Sequence, residues 1–295
     1  MYLSVRDHIA LCAWPSLKEG LDALGFPAVE LEFGRDNSVF AIAPETGYER
    51  YILDTPDGTD TFRAHLRETG ITVSALLMSN NFGSADLDGE VNWTVKAVKA
   101  AHALRVKTVR IDAIMHGEHD MPLERNVEVF ADCMKRVLDA TPDAKVDLGV
   151  ENHGFQGNMP EFLDQLLERV DSPRVGVTID TGNFYWRGHP LRRVYEIIGH
   201  FAPHCKHTHA KNIKYPPTLR EVEREMGYKY GEYVSPLPDG DIDHRRVVAM
   251  LKYAGYDRDL CLEDESLGRF PREEWASVLK RDADFFREIV LGSSV

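Results

Sequence analysis

From one end of the chain to the other, short runs rich in valine, isoleucine and leucine alternate with stretches whose apolar residues recur at three- and four-residue spacing. Such alternation points to a parallel sheet, because parallel neighbours need a long crossover and a helix usually supplies it. Eight units are counted, with strands expected at residues 2–5, 28–33, 72–78, 108–113, 146–151, 175–180, 205–211 and 260–263. Val127, Phe130, Met134, Val137 and Leu138 mark one helical face, and Val247, Val248 and Leu251 another behind an Asp243 cap. Trp275, Val278, Leu279, Phe285, Phe286, Ile289 and Val290 form a last helical stripe. The expected fold is α/β, a single (β/α)₈ barrel over residues 1–295 with a C-terminal helix packing on the outer ring. Barrels of this kind commonly take about 250 residues as one domain.

Composition narrows the partners. A formal charge of −13 supplies little of the lysine and arginine surface that releases counterions from a nucleic acid or meets an anionic membrane. No long apolar run or leader-like segment is read, so a soluble, cytoplasmic protein is expected. Cys12, Cys133, Cys205 and Cys261 are scattered without a CxxC pair and read as reduced thiols. A small, neutral or weakly charged substrate suits this balance.

In a barrel, chemistry belongs to the C-terminal strand ends. Strand five stops on Glu151-Asn152-His153-Gly154, strand six on Asp180-Thr181-Gly182-Asn183, strand seven on His207-Thr208-His209-Ala210-Lys211 and strand eight on Leu262-Glu263-Asp264-Glu265. With a period of two, Val150, Ile179 and Leu262 face the helices and leave Glu151, Asp180 and Glu263 pointing inward. Three carboxylates sharing an interior need a cation to stay ionised, and a hard site of acids plus one imidazole suits one divalent ion, Mn²⁺, Mg²⁺, Co²⁺ or Zn²⁺. On strand seven, His207, His209 and Lys211 share a face. His209, nearer the strand end, is taken as the ligand. His207 then lies one layer deeper, as a donor to a ligand or a substrate contact, and Lys211 reaches the rim.

These segments carry a resemblance to the xylose isomerase-like barrel superfamily, specifically its sugar phosphate isomerase/epimerase group. It covers nearly the whole chain and is most specific at Glu151-Asn152-His153-Gly154, Asp180-Thr181-Gly182-Asn183-Phe184, His209-Ala210-Lys211-Asn212, Gly240-Asp241-Ile242-Asp243 and Leu262-Glu263. The resemblance implies a metal held by Glu151, Asp180, His209 and Glu263, with Glu151 and Glu263 flanking a sugar, keto-sugar or polyol derivative and exchanging protons with it through an enediolate. His153, Asn183, His207 and Lys211 are the expected substrate contacts. Ketose 3-epimerases and related endonucleases carry histidine where this chain has Asn183, and an amide is a poor metal ligand, which argues for one ion rather than a zinc cluster. Many relatives carry aspartate at Asn212.

The expected function is therefore a metal-dependent isomerase or epimerase of carbohydrate metabolism, with manganese among the candidate ions and a homo-oligomer implied by resemblance. The first alternative is a dehydratase of a keto-inositol or 3-dehydroshikimate, which begins with the same proton abstraction. An abasic-site endonuclease and a non-catalytic sugar-binding protein stand further off. Competing structural readings accompany several residues: Asp180 is also good helix-capping chemistry, His153 divides between a partner of Glu151 and a packed histidine, and Lys211 between a substrate contact and a partner of the acids. Glu30 and Glu32 are read as ion-paired with Arg110, and Arg110 and Asp112 are left out of the site. Asn80, Asn81, the aromatics Phe184, Tyr185 and Trp186, and the arginines of the long loop 212–240 are read first as turn, packing and solvated residues.

Overall fold

The protein is described by a computed structural model over residues 1–45, 48–115 and 121–292. Its parallel strands are β1 (Tyr2–Arg6), β2 (Ala28–Glu32), β3 (Thr72–Leu77), β4 (Thr108–Ile111), β5 (Asp147–Glu151), β6 (Val175–Asp180), β7 (Cys205–His209) and β8 (Asp259–Leu262). They form one sheet in the order β8-β1-β2-β3-β4-β5-β6-β7. The chain divides into two compact units, Met1–Glu30 with the segment from Ile179 onward, and Leu31–Thr178.

In the first unit β1 lies between β8 and β2, with Tyr2 opposite Asp259 and Ser4 opposite Ala28. The ring closes here: Ala210 N donates to Cys261 O at 2.8 Å and Glu263 N donates to Ala210 O at 3.1 Å, while Thr181 N reaches His209 O at 2.9 Å. In the second unit the register runs Leu76 to Val109, Thr108 to Asp147 and Leu148 to Val175, and Phe33 N, just past β2, donates to Leu77 O at 2.8 Å. Each neighbour pair of an eight-strand ring is thus made inside one unit or the other. The fold is the expected α/β barrel.

The helices start and stop for local reasons. Ser16 accepts from Glu19 N at the head of Leu17–Leu24, which ends on Gly25 at φ 66°, a left-handed value glycine adopts without strain. Asp243 caps His244–Tyr253 as expected, its Oδ1 accepting from Arg245 N at 2.9 Å. The last helix, Trp275–Leu291, buries Val278, Leu279, Ala283, Phe286 and Ile289 along one stripe. In the second unit, Phe130 packs edge-on to Phe82 and Phe162 at centroid distances of 5.0 and 5.7 Å, joining the helices Leu123–Asp139 and Pro160–Val170.

The boundaries differ from the sequence reading where polar side chains take over from the ladder. β7 stops at His209, leaving Lys211 beyond it, and β8 stops at Leu262, leaving Glu263 as the first residue past the strand. Two antiparallel pairs were not anticipated: Ser38–Phe40 with Arg50–Ile52, and Asn212–Ile213 with Val234–Ser235 inside the long loop. Among the described residues no helix is long and apolar enough to cross a membrane.

Candidate metal and proton-transfer site

The first unit gathers its polar strand ends into one buried cluster. Asp180, the last residue of β6, divides its two oxygens. Oδ1 accepts from Gly182 N at 2.7 Å and Asn183 N at 2.8 Å, which forms the turn after the strand, and Oδ2 faces Lys211 Nζ at 3.0 Å. Both readings of Asp180, turn former and cluster member, therefore describe the same side chain. Gly182 is required here, because a Cβ would lie 2.4 Å from Lys211 Cγ. The Thr181 hydroxyl donates to Lys211 O at 2.8 Å and ties the end of β6 to the segment after β7.

Lys211 Nζ also lies 3.2 Å from Glu263 Oε2 and 2.8 Å from Glu265 Oε1. Glu263 meets Arg6 Nη1 through Oε1 at 2.5 Å and His209 Nδ1 through Oε2 at 3.3 Å. Tyr230, carried by the long loop, donates its hydroxyl to Glu265. Burial pushes the Asp180 carboxyl up to about 6, against the pull of Lys211 and with the repulsion of Glu263. Burial also works against the Lys211 charge, but Asp180, Glu263 and Glu265 outweigh it and raise the ammonium well above its ordinary range. Glu265 ends below its usual value because Lys211 and Tyr230 offset its burial. Three carboxylates thus share one ammonium, and Asp180 is the one whose burial outweighs that attraction.

His207 sits deeper on β7, with Nε2 2.8 Å from Glu30 Oε1 and Nδ1 2.9 Å from Asp259 Oδ2. The other Glu30 oxygen, Oε2, lies 2.8 Å from His209 Nε2. The expected Glu30–Arg110 pair is corrected by these contacts. Parity puts both residues inward, but the stagger between strands sets the layer each occupies, and Glu30 lies level with the histidines.

The second unit has its own cluster at the ends of β4 and β5. Arg110 donates through Nη1 to Met78 O at 2.8 Å, and Nη2 pairs with Glu151 and, at 2.9 Å, with Asp112 Oδ1. His153 Nδ1 lies 2.9 Å from Asp112 Oδ1 and 3.9 Å from Glu151 Oε2, with its side chain 40% exposed. Burial raises the Asp112 carboxyl, but Arg110 and His153 more than offset it and hold it low. Asn80 Oδ1 accepts from Asp112 N at 2.9 Å, so Asn80 shapes the strand end instead of forming a turn alone.

Of the residues singled out from sequence, Asp180, His207, His209, Lys211 and Glu263 come together in the first unit, and Asn183 opens the short helix Asn183–Trp186 beside Asp180. Glu151 and His153 share the second cluster. Sequence reasoning missed Arg6, Glu265 and Tyr230, gave the inward Glu30 to Arg110, and set aside Arg110 and Asp112. Arg6 had a usable signal as the last residue of β1; Glu30 had a subtler one, since two inward histidines on one strand call for an inward anion. The long-loop arginines are not all solvated: Arg224 lies over the rings of Tyr185 and Tyr215 at 4.5 and 4.3 Å.

A ring of eight parallel strands with acids, histidines and a lysine buried at its strand ends defines an α/β-barrel protein with a polar interior. The chain belongs to the xylose isomerase-like TIM barrel family, whose model matches residues 20–289. It is similar to the inosose dehydratase of Geobacillus thermodenitrificans, 24% identical over 164 residues covering 51% of this chain and 54% of that protein. A further match is an uncharacterised protein of Methanocaldococcus jannaschii, 25% identical over 138 residues and 42% of its length, so the chain spans about half the length of the curated relatives it matches. Among solved structures, the IOLI protein with a zinc atom bound aligns with TM-score 0.72 and 17% identity over 99% of both chains. An L-ribulose 3-epimerase aligns with TM-score 0.65 and 15% identity over 100% of this chain and 98% of that one. At these identities the structures speak for the fold.

Proposed function

We propose that the protein is a divalent-metal-dependent isomerase or epimerase acting on a sugar, keto-sugar or polyol derivative, with Glu151 and Glu263 as its proton-transferring groups. The observation that carries the proposal is the gathering of Asp180, His209, Glu263 and Lys211 into one buried cluster at the ends of three strands. Its donor set fits a hard divalent cation, since two carboxylates and an imidazole nitrogen converge there. Asp180, His209 and Glu263 would hold the ion, and Glu151 is taken as the fourth holder from its place at the end of β5 and the family's pattern of strand ends. Bound there, the ion would act as a Lewis acid on a substrate carbonyl and its neighbouring hydroxyl.

The remaining work falls to side chains. Arg6 clamps Glu263 Oε1, so Oε2, beside His209 and Lys211, is the oxygen that would take or return the proton on the substrate carbon. Lys211 balances the carboxylate while it is ionised. Asn183 supports a substrate contact: its Nδ2 is buried with no hydrogen-bond partner among the described residues, a donor suited to a sugar hydroxyl.

The match to an inosose dehydratase favours a second reading, in which the same proton removal is followed by loss of a hydroxyl. Incubating the Mn²⁺-loaded protein with ketoses and with keto-inositols in deuterated water separates the two. Deuterium incorporation without loss of water is the expected outcome, whereas an enone absorbance would make it a lyase. Absence of both, with no metal uptake, would remove the proposal.

A further inference from the structure

Glu30, on β2, takes no part in the proton transfer proposed above, yet it is completely buried and touches both histidines of β7. An ionised carboxylate only accepts, so each ring nitrogen facing it at 2.8 Å carries a hydrogen. His209 Nε2 is then a donor, and Nδ1, 3.3 Å from Glu263 Oε2, is the ring atom turned toward the candidate ligands. Glu30 is itself braced. His207 lies against it through Nε2 at 2.8 Å, and its Nδ1 sits 2.9 Å from Asp259 Oδ2, whose other oxygen, Oδ1, accepts from the Tyr256 hydroxyl at 3.1 Å.

We infer that Glu30, braced by His207 and Asp259, is a positioning residue that fixes the ring orientation of His209 and presents its Nδ1 to the metal. This rests on the reading of His209 as a ligand. A carboxylate behind a ligating histidine raises its basicity as well as orienting it. The rival account makes Glu30, His207, His209 and Cys261 a second metal site, since their donor atoms lie within 4.8 Å of one another. Both Glu30 oxygens are already used by the two histidines, so the group reads as a network of donors and acceptors.

The test titrates metal-stripped protein with Zn²⁺ by calorimetry and records ¹⁵N-histidine spectra of the zinc-loaded form. One ion per chain is expected, with His209 protonated at Nε2 and metal-shifted at Nδ1. Glu30→Gln offers one acceptor to two donors and should weaken zinc binding by about 10- to 100-fold, with a second His209 ring state appearing in the spectrum. A metal-shifted Nε2 in the wild type, two ions per chain, or unchanged affinity in Glu30→Gln would each overturn the inference while leaving the metal site standing. No zinc uptake by the wild type would overturn the metal reading and the role of Glu30 with it. Should Glu30→Gln not fold, the wild-type spectrum decides.

Discussion

In residues 31–178 the acid at the end of β5 is met by an arginine, whereas in the unit formed by Met1–Glu30 and the chain from Ile179 onward Asp180 is met by a lysine, Glu30 by two histidines, and Glu263 by Arg6 at one oxygen but by Lys211 and His209 at the other. An arginine keeps its charge at any working pH and holds a carboxylate in a planar fork, so the Arg110 cluster is permanently compensated. Lysine and histidine move on flexible or rotatable stems, so the second arrangement can give way to the charge of a cation. The contrast separates an acid kept ionised from acids whose charge is negotiable.

The largest effect should come from the negotiable side. Glu263→Gln keeps shape but removes a proton acceptor, and deuterium exchange into substrate should fall by about 10²- to 10⁴-fold; an unchanged rate would place the base elsewhere. Next, Arg110→Gln should cost about 3–5 kcal/mol in urea unfolding, because it strands Glu151 and Asp112 as buried acids. Lys211→Gln should cost clearly less, since Asp180, already pushed up to about 6, takes up a proton when the ammonium goes. Equal costs would break the comparison.

A smaller effect concerns acid sensitivity. Burial pulls His244 down to about 4, so the folded protein holds it neutral while the unfolded chain protonates it at its usual value of 6.5. Its contribution is present above pH 6.5 and is lost as pH falls toward 4, amounting to roughly 2 kcal/mol between pH 7 and 5. His244→Gln should flatten that part of the unfolding profile; an unaltered slope would move the sensitivity to other groups. Smallest, Asp243→Ala should cost about 1 kcal/mol with no change in metal affinity, which calibrates the clusters against an ordinary helix cap.

The barrel was legible because alternation of strand and helix periods is written in single residues, and inward parity at Glu151, Asp180 and Glu263 follows from neighbours in sequence. What was not legible depends on the stagger between strands. Glu30 and Arg110 both point inward, yet one lies beside histidines of β7 and the other beside Glu151. Tyr230 was hidden for another reason: it reaches Glu265 only because the loop after β7 folds through the short pair Asn212–Ile213 and Val234–Ser235, whose strands are too brief to show a period.

Asn212 gives that loop a property of its own. Its Oδ1 accepts from Ile213 N and Ile242 N, and its Nδ2 donates to Leu237 O and Ile242 O, all between 2.8 and 3.0 Å. An ionised aspartate in its place would have no hydrogen to offer those two carbonyls. Gly240 is tied to the same spot, because a Cβ there would lie 2.1 Å from Asn212 Cγ. For anyone transplanting this loop into a related barrel, residues 212 and 240 form a lock and its keyhole that must travel together.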